Sequence, residues 1–155
     1  MAKLDLSLTP EELDRYLTEQ RTVRLATATA NGRPHVVPLW FVWLDRIVFM
    51  NSTLGNVTVR NLQRNPVATG SIDDGDSYDQ LRGVLVHGTV EWAKDHPRLE
   101  MVKQTWSNKY MGGGPVPYDQ WRDRIWFRMV PTTLTSWDFR KIPEAKAKAR
   151  AAKDE

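Results

Sequence analysis

The 155-residue sequence predicts a mainly β chain, a β-barrel with helices packed outside it. Runs of strand length, apolar or alternating, recur about six times and are joined by tight turns rather than long connections. The clearest of them, Arg82–Trp92 (RGVLVHGTVEW), alternates along its whole length. Helical signals are confined to two or three places between strand runs, and closing the sheet on itself removes its exposed edges.

The first element is a helix from Thr9 to about Glu19. Thr9 is its N-cap, with Pro10 at N1 and Glu12 at N3, a capping box with proline in its favoured position. Thr22–Thr29 reads as a strand, closed by the Asn31-Gly32-Arg33-Pro34 turn onto His35–Leu44. That partner is apolar on both faces, so burial on both sides is expected, as in a barrel wall that also meets another subunit. A turn at Leu44-Asp45-Arg46 leads to a strand at Ile47–Met50, and a helix over Gly55–Arg64 follows. Val67–Asp73 and Arg82–Trp92 are strands flanking a turn at Asp74-Gly75-Asp76. Pro97 to about Tyr110 reads as a helix with Asp95 as N-cap, broken by the three glycines of Met111–Pro117. Ile125–Val130 and Leu134–Trp137 are expected as closing strands. Residues 1–140 then form a single domain, and the Lys/Ala-rich tail 141–155 is expected to be frayed or disordered.

Composition narrows the function classes. With 41% hydrophobic and 26% charged residues, the chain is globular, and no apolar run reaches the roughly 18 residues of a membrane span. The amino-terminal MAKLDLSLTPEEL is acidic where a signal peptide would be apolar, so a cytoplasmic location is expected. Zero cysteines exclude disulfides, thiolate catalysis and thiolate metal sites. Most of the net charge of +3 lies in the tail, so the body makes no demand for nucleic acid. His35, His87 and His96 are dispersed and lack carboxylates at ligand spacing, so no metal site is expected. No Gly-x-Ser-x-Gly or Walker-type motif is present, and no catalytic side chain is singled out. Asp73, Asp74 and Asp76 read as turn formers.

The chemistry is carried by Arg46–Pro66. An apolar strand ends in Asn51-Ser52-Thr53, passes Gly55, and continues as a helix opened by Asn56, Val57 and Thr58 and carrying Arg60, Asn61 and Arg64. Hydroxyls, a glycine and a helix N-terminus converging in one place suit an anion such as phosphate, because first-turn N–H groups and the helix dipole favour negative charge. The same residue types also cap helices without binding anything. Pro38, in mid-strand, cannot donate to a ladder, so the sheet is interrupted or edged there. The Gly112–Gly114 run beside Trp106, Lys109 and Tyr110 is either a flap or a plain surface loop.

Four segments in order carry a resemblance. They are Arg24–Thr27, then Asn31–Phe41, then Asn61–Pro66, then Arg82–Glu91. With them the chain resembles the pyridoxamine 5'-phosphate oxidase-like split β-barrels, in particular the small FMN- or F420-dependent oxidoreductases, over roughly residues 10–140. The resemblance implies a six-stranded split barrel, a homodimer with cofactor sites at the subunit interface, and a ring lying along Val36, Val37, Pro38, Leu39 and Trp40. It places the cofactor's phosphate against Asn51, Ser52, Thr53, Asn56, Val57, Thr58 and Arg60. Trp137 and Arg140 fall in a C-terminal region that reaches the cleft in some relatives. One departure stands out: Thr58 and Asn56 occupy positions where the family usually carries a lysine and often an arginine.

The function the resemblance implies is hydride transfer between F420 or FMN and a small unsaturated or electrophilic acceptor. The alternative is a split barrel that binds a flavin, haem or tetrapyrrole without turnover. Neither involves a membrane or nucleic acid as partner.

Overall fold

The computed structural model describes residues 4–117, 120, 121 and 123–152. Helix α1 (Pro10–Glu19) is followed by strands β1 (Thr22–Ala28), β2 (Pro34–Leu44) and β3 (Ile47–Thr53), helix α2 (Val57–Arg64), and strands β4 (Val67–Asp74) and β5 (Arg82–Trp92). Helix α3 (Leu99–Met111), the long strand β6 (Arg124–Asp138) and helix α4 (Ile142–Ala151) complete the chain. The six antiparallel strands close into the expected barrel, in the order β1-β2-β3-β6-β5-β4. Among the described residues no helix is long and apolar enough to cross a membrane.

Local chemistry starts each element where expected or nearly so. Thr9 and Glu12 form the capping box of α1, whose Leu13, Tyr16 and Leu17 cover one end of the barrel interior. Asp45 and Arg46, both at positive φ, make the two-residue hairpin between β2 and β3. Asn56, not Gly55, opens α2, its side chain accepting the N–H of Val59 at 2.9 Å. Helix α3 begins at Leu99 rather than Pro97. Arg98 holds its cap position without a side-chain bond, so Asp95 is not the N-cap.

Three larger differences have physical reasons. β3 runs on through Asn51-Ser52-Thr53 because these polar residues pair with Trp126, Ile125 and Arg124 of β6. The two expected closing strands are one strand of 15 residues: Pro131 sits where the β5–β6 register shifts between His87 and Gly88, so the ladder absorbs it without ending. The tail beyond Lys141 contains α4, and residues 153–155 lie outside the described residues.

Two apolar clusters sandwich the barrel wall. Leu25, Phe41, Val48, Met50, Val86, Phe127 and Met129 fill the interior, while Val42, Phe49, Trp106 and Trp126 lie outside it under α3. Burial of β2 on both faces is therefore confined to Phe41–Trp43. Its first half presents an uncovered outer face, with Val36 58% and Trp40 45% exposed.

The barrel is open along one seam. β2 pairs with β1 over Pro34–Trp40 but with β3 only over Phe41–Leu44, while β3 beyond Met50 pairs with β6 alone. The two strands diverge, and α2 packs on β1, β2 and β3 in the gap.

Gly88 marks the register shift. A Cβ there would stand 2.5 Å from the carbonyl oxygen of Val130. Gly88→Ala is expected to lower unfolding stability by about 1–3 kcal/mol, as overpacking does when the obstacle is backbone. Urea denaturation followed by circular dichroism measures it, and an unchanged midpoint would show that the shift tolerates a side chain.

Candidate functional site at the seam

Most of the polar residues expected to bind an anion tie α2 into the seam. Ser52 points inward, 3% exposed, and accepts a 2.7 Å hydrogen bond from the Asn56 amide. Thr58 is 1% exposed, its hydroxyl 3.3 Å from Nε2 of His35 on β2. Asn61 donates to the Thr27 hydroxyl and accepts from Arg64. Thr53 is half-buried, whereas Val57 and Arg60 are exposed. Arg24 is ion-paired with Asp73 at 2.8 Å on the outer face of the sheet. What remains turned outward at the start of α2 is its first-turn N–H groups, Val57 and Arg60. The three histidines lie apart: His35 at α2, His87 bonded to the Thr69 hydroxyl, and His96 edge-on to Phe49.

The ring-side residues share one edge. Phe41 turns its backbone N–H and C=O toward Arg21 at the end of β1, where the Tyr110 hydroxyl meets them. The hydroxyl accepts from the Phe41 N–H at 3.0 Å and lies 2.8 and 2.7 Å from the Phe41 and Arg21 carbonyls. Alternation along the strand then turns the backbone groups of Val36 and Pro38 toward the seam, where β3 supplies no ladder. The missing N–H of Pro38 falls on that open side. Side chains of Pro34, Val36, Pro38 and Trp40 point outward, whereas Val37 and Leu39 face inward.

At the top of the seam a cleft of about 380 Å³ is lined by Pro38, Leu39, Trp40, Asn51, Trp106, Trp121 and Arg124. Trp40 stacks on Tyr110 with centroids 4.5 Å apart and planes 5° from parallel, and tilts against Trp106 at 5.6 Å. Arg124, on β6 opposite Thr53, donates to Oδ1 of Asn51 at 3.2 Å and lies 5.0 Å over the Trp121 ring. Asn51 was expected at the site; Arg124 and Trp121 were not. The place of Arg124 follows from β3–β6 pairing between residues some 70 positions apart, which leaves no local sequence signal.

Lys109 lies behind Tyr110, its Nζ 3.3 Å from the Phe41 carbonyl and 4.5 Å over the Phe41 ring. Burial, helped by the nearby Arg21 charge, pushes its pKa down to about 8. The Tyr110 phenol is pushed up to about 12, mainly by burial, and so stays protonated. Gly112 ends α3 in a left-handed C-cap, and Ser107 donates to the Gly114 carbonyl at 2.6 Å, so the glycine run is bonded back onto α3.

Comparison with known proteins gives a consistent picture. A protein-family model described as pyridoxamine 5'-phosphate oxidase matches residues 9–138. The chain is similar to a conserved hypothetical protein of Mycobacterium tuberculosis, at 26% identity over 92% of each chain, with a TM-score of 0.81. An F420 reductase is 27% identical, with a TM-score of 0.64 over 82% of this chain and 98% of that one. A FAD-binding protein of Mycobacterium smegmatis is 25% identical, with a TM-score of 0.63 over 86% and 98%. A search of curated sequences finds no match.

Two outcomes follow from this geometry. Tyr110→Phe leaves the Phe41 N–H without its acceptor and is expected to cost about 1–3 kcal/mol. The tryptophan emission should shift as Trp40 loses its fixed neighbour; an unchanged stability and spectrum would remove Tyr110 from this role. Between about 8 and 10.5 the folded chain binds fewer protons at Lys109 than the unfolded chain does. This residue's share of stability therefore rises with pH through that window and is lost as pH falls through about 8. Lys109→Met should be the more stable protein at pH 7, with the gap closing as pH rises, read from paired urea midpoints. A gap independent of pH would contradict it.

Proposed function

The chain belongs to the pyridoxamine 5'-phosphate oxidase family, and from that premise we propose that it is an oxidoreductase that binds F420 or FMN at a homodimer interface and passes hydride to a small unsaturated or electrophilic acceptor. The observation that carries this reading is the first half of β2, an apolar ledge whose backbone edge is left open beside an aromatic cleft. The F420 reductase and the FAD-binding protein among the similar structures support the cofactor class.

The ledge fits a flat tricyclic ring. Val36, Pro38 and Trp40 give an apolar surface, and the seam-facing backbone of Val36 and Pro38 gives donors and acceptors for a ring's polar edge. The phosphate meets a less charged grip. Ser52, Asn56 and Thr58 are bonded within the protein, so the first turn of α2, Thr53 and Arg60 are the groups to hold it. When bound, the cofactor supplies the hydride chemistry. The chain's own residues position it: Tyr110 stacks on Trp40, and α2 packs into the seam. Lys109, with its pKa lowered to about 8 beside Tyr110, is an amine in this neighbourhood able to exchange a proton at mildly alkaline pH.

A second copy is the occupant that suits the outer sheet face. Across five strands, Pro38, Arg24, Ser71, Leu85 and Thr135 lie in one row and Val36, Ala26, Thr69, His87 and Thr133 in the next. In these rows the one strong charge, Arg24, is already paired with Asp73. A broad, nearly uncharged face beginning at the cofactor ledge is what a dimer burying that ledge requires.

The purified protein is expected to elute as a dimer and to bind FMN or F420 at micromolar levels, with a shift in the cofactor's visible absorbance. Trp40→Ala should weaken that binding about tenfold, equivalent to about 1.4 kcal/mol. A protein that binds haemin but neither of the two redox cofactors would instead be a carrier, and the oxidoreductase reading would fall.

A further inference from the structure

We propose that the tryptophan-lined cleft beside Pro38–Trp40 is the binding site for a flat, conjugated organic acid, with the acid's carboxylate on Arg124. Its walls are Pro38, Leu39 and three indoles, those of Trp40, Trp106 and Trp121. Polar contacts come from Asn51 and Arg124, joined to one another by a 3.2 Å hydrogen bond. About 380 Å³ holds a ligand of one or two rings.

The electrostatics select the ligand's charge. Arg124 is exposed and lies 5.0 Å over the Trp121 ring, yet no carboxylate among the described residues is ion-paired with it. Asn51 takes one guanidinium donor and leaves others directed elsewhere. A planar fork pre-set on an aromatic face matches a carboxylate in two-point contact. One cation balances one negative charge, whereas a phosphate dianion would be left undercompensated among apolar walls. The indole N–H of Trp106, a residue of the cleft wall, is buried without a hydrogen-bond partner. Indole faces on several sides favour a conjugated plane over a sugar or an aliphatic chain.

As a binding site, the cleft stands independently of the redox chemistry. As the class of hydride acceptor, it rests on the oxidoreductase reading, because the cleft shares Pro38 and Trp40 with the ledge assigned to the cofactor ring.

Calorimetric titration with trans-cinnamate and its uncharged amide, cinnamamide, tests the site. Cinnamate is expected to bind at least tenfold more tightly than the amide. Arg124→Gln should bring cinnamate down to the level of the amide and leave the amide unchanged, while Arg124→Lys should retain part of the preference. Circular dichroism of both variants should match the parent, since Arg124 is exposed. Equal affinity for acid and amide, no effect of Arg124→Gln, or no binding of either at millimolar concentration would overturn the proposal. Competitive displacement of cinnamate by FMN or F420 would overturn it too, because the cleft would then belong to the cofactor. Retained cinnamate binding in a protein that takes up neither redox cofactor would sink the oxidoreductase reading and leave the acid site standing.

Discussion

The Tyr110 hydroxyl stands where the sheet would otherwise carry its next rung between Arg21 and Phe41, meeting an N–H and two carbonyls. This contact lets β2 leave one partner and take another without stranding polar backbone groups in an apolar wall. From that exchange follow the divergence of β2 from β3, the seam that α2 fills, and the unpaired edge along Val36 and Pro38. The ring that makes the contact also backs Trp40. Barrel closure and the orientation of the cleft wall thus depend on one side chain delivered by a helix outside the barrel.

Electrostatics divides the neighbourhood into parts with different tasks. Polar side chains at the start of α2 are mostly committed to each other, to His35 or to Thr27, which makes that helix a structural insert held by hydrogen bonds. Cations available for ligands lie to either side, Arg60 on the helix and Arg124 across the seam. A site assembled this way reads a ligand through separated single charges rather than a basic cluster. That distribution agrees with uncharged residues, Asn56 and Thr58, at the start of the helix.

What was legible in the sequence was what short-range chemistry decides. Thr9, Pro10 and Glu12 announce the start of α1 because a capping box closes within four residues. Arg82–Trp92 declares itself by alternation, since one face meets the core through Val84, Val86 and Val90. Asn51-Ser52-Thr53 resembled a strand end because hydroxyls and amides suit turns, but β6 pairs with them from across the barrel. Pro131 stands in the gap between the two expected closing strands, where a residue without an N–H cannot donate to a ladder. Arg124 was invisible as a site residue because its neighbours Asn51 and Trp40 come from other strands, and only the closed sheet order brings them together.

The register shift at Gly88 does more than accommodate Pro131. Before it, Phe127 and Met129 point into the barrel; after it, Leu134 packs against the same interior, so odd-numbered residues face inward on one side and even-numbered ones on the other. One extra residue in β6 reverses the parity of the strand. With a regular ladder, Arg124 and Trp126 would turn into the barrel and Phe127 toward solvent. Pulling the extra residue into a regular register would thus turn half a strand inside out, and the address of the cleft's guanidinium is written at Pro131, seven residues away from it.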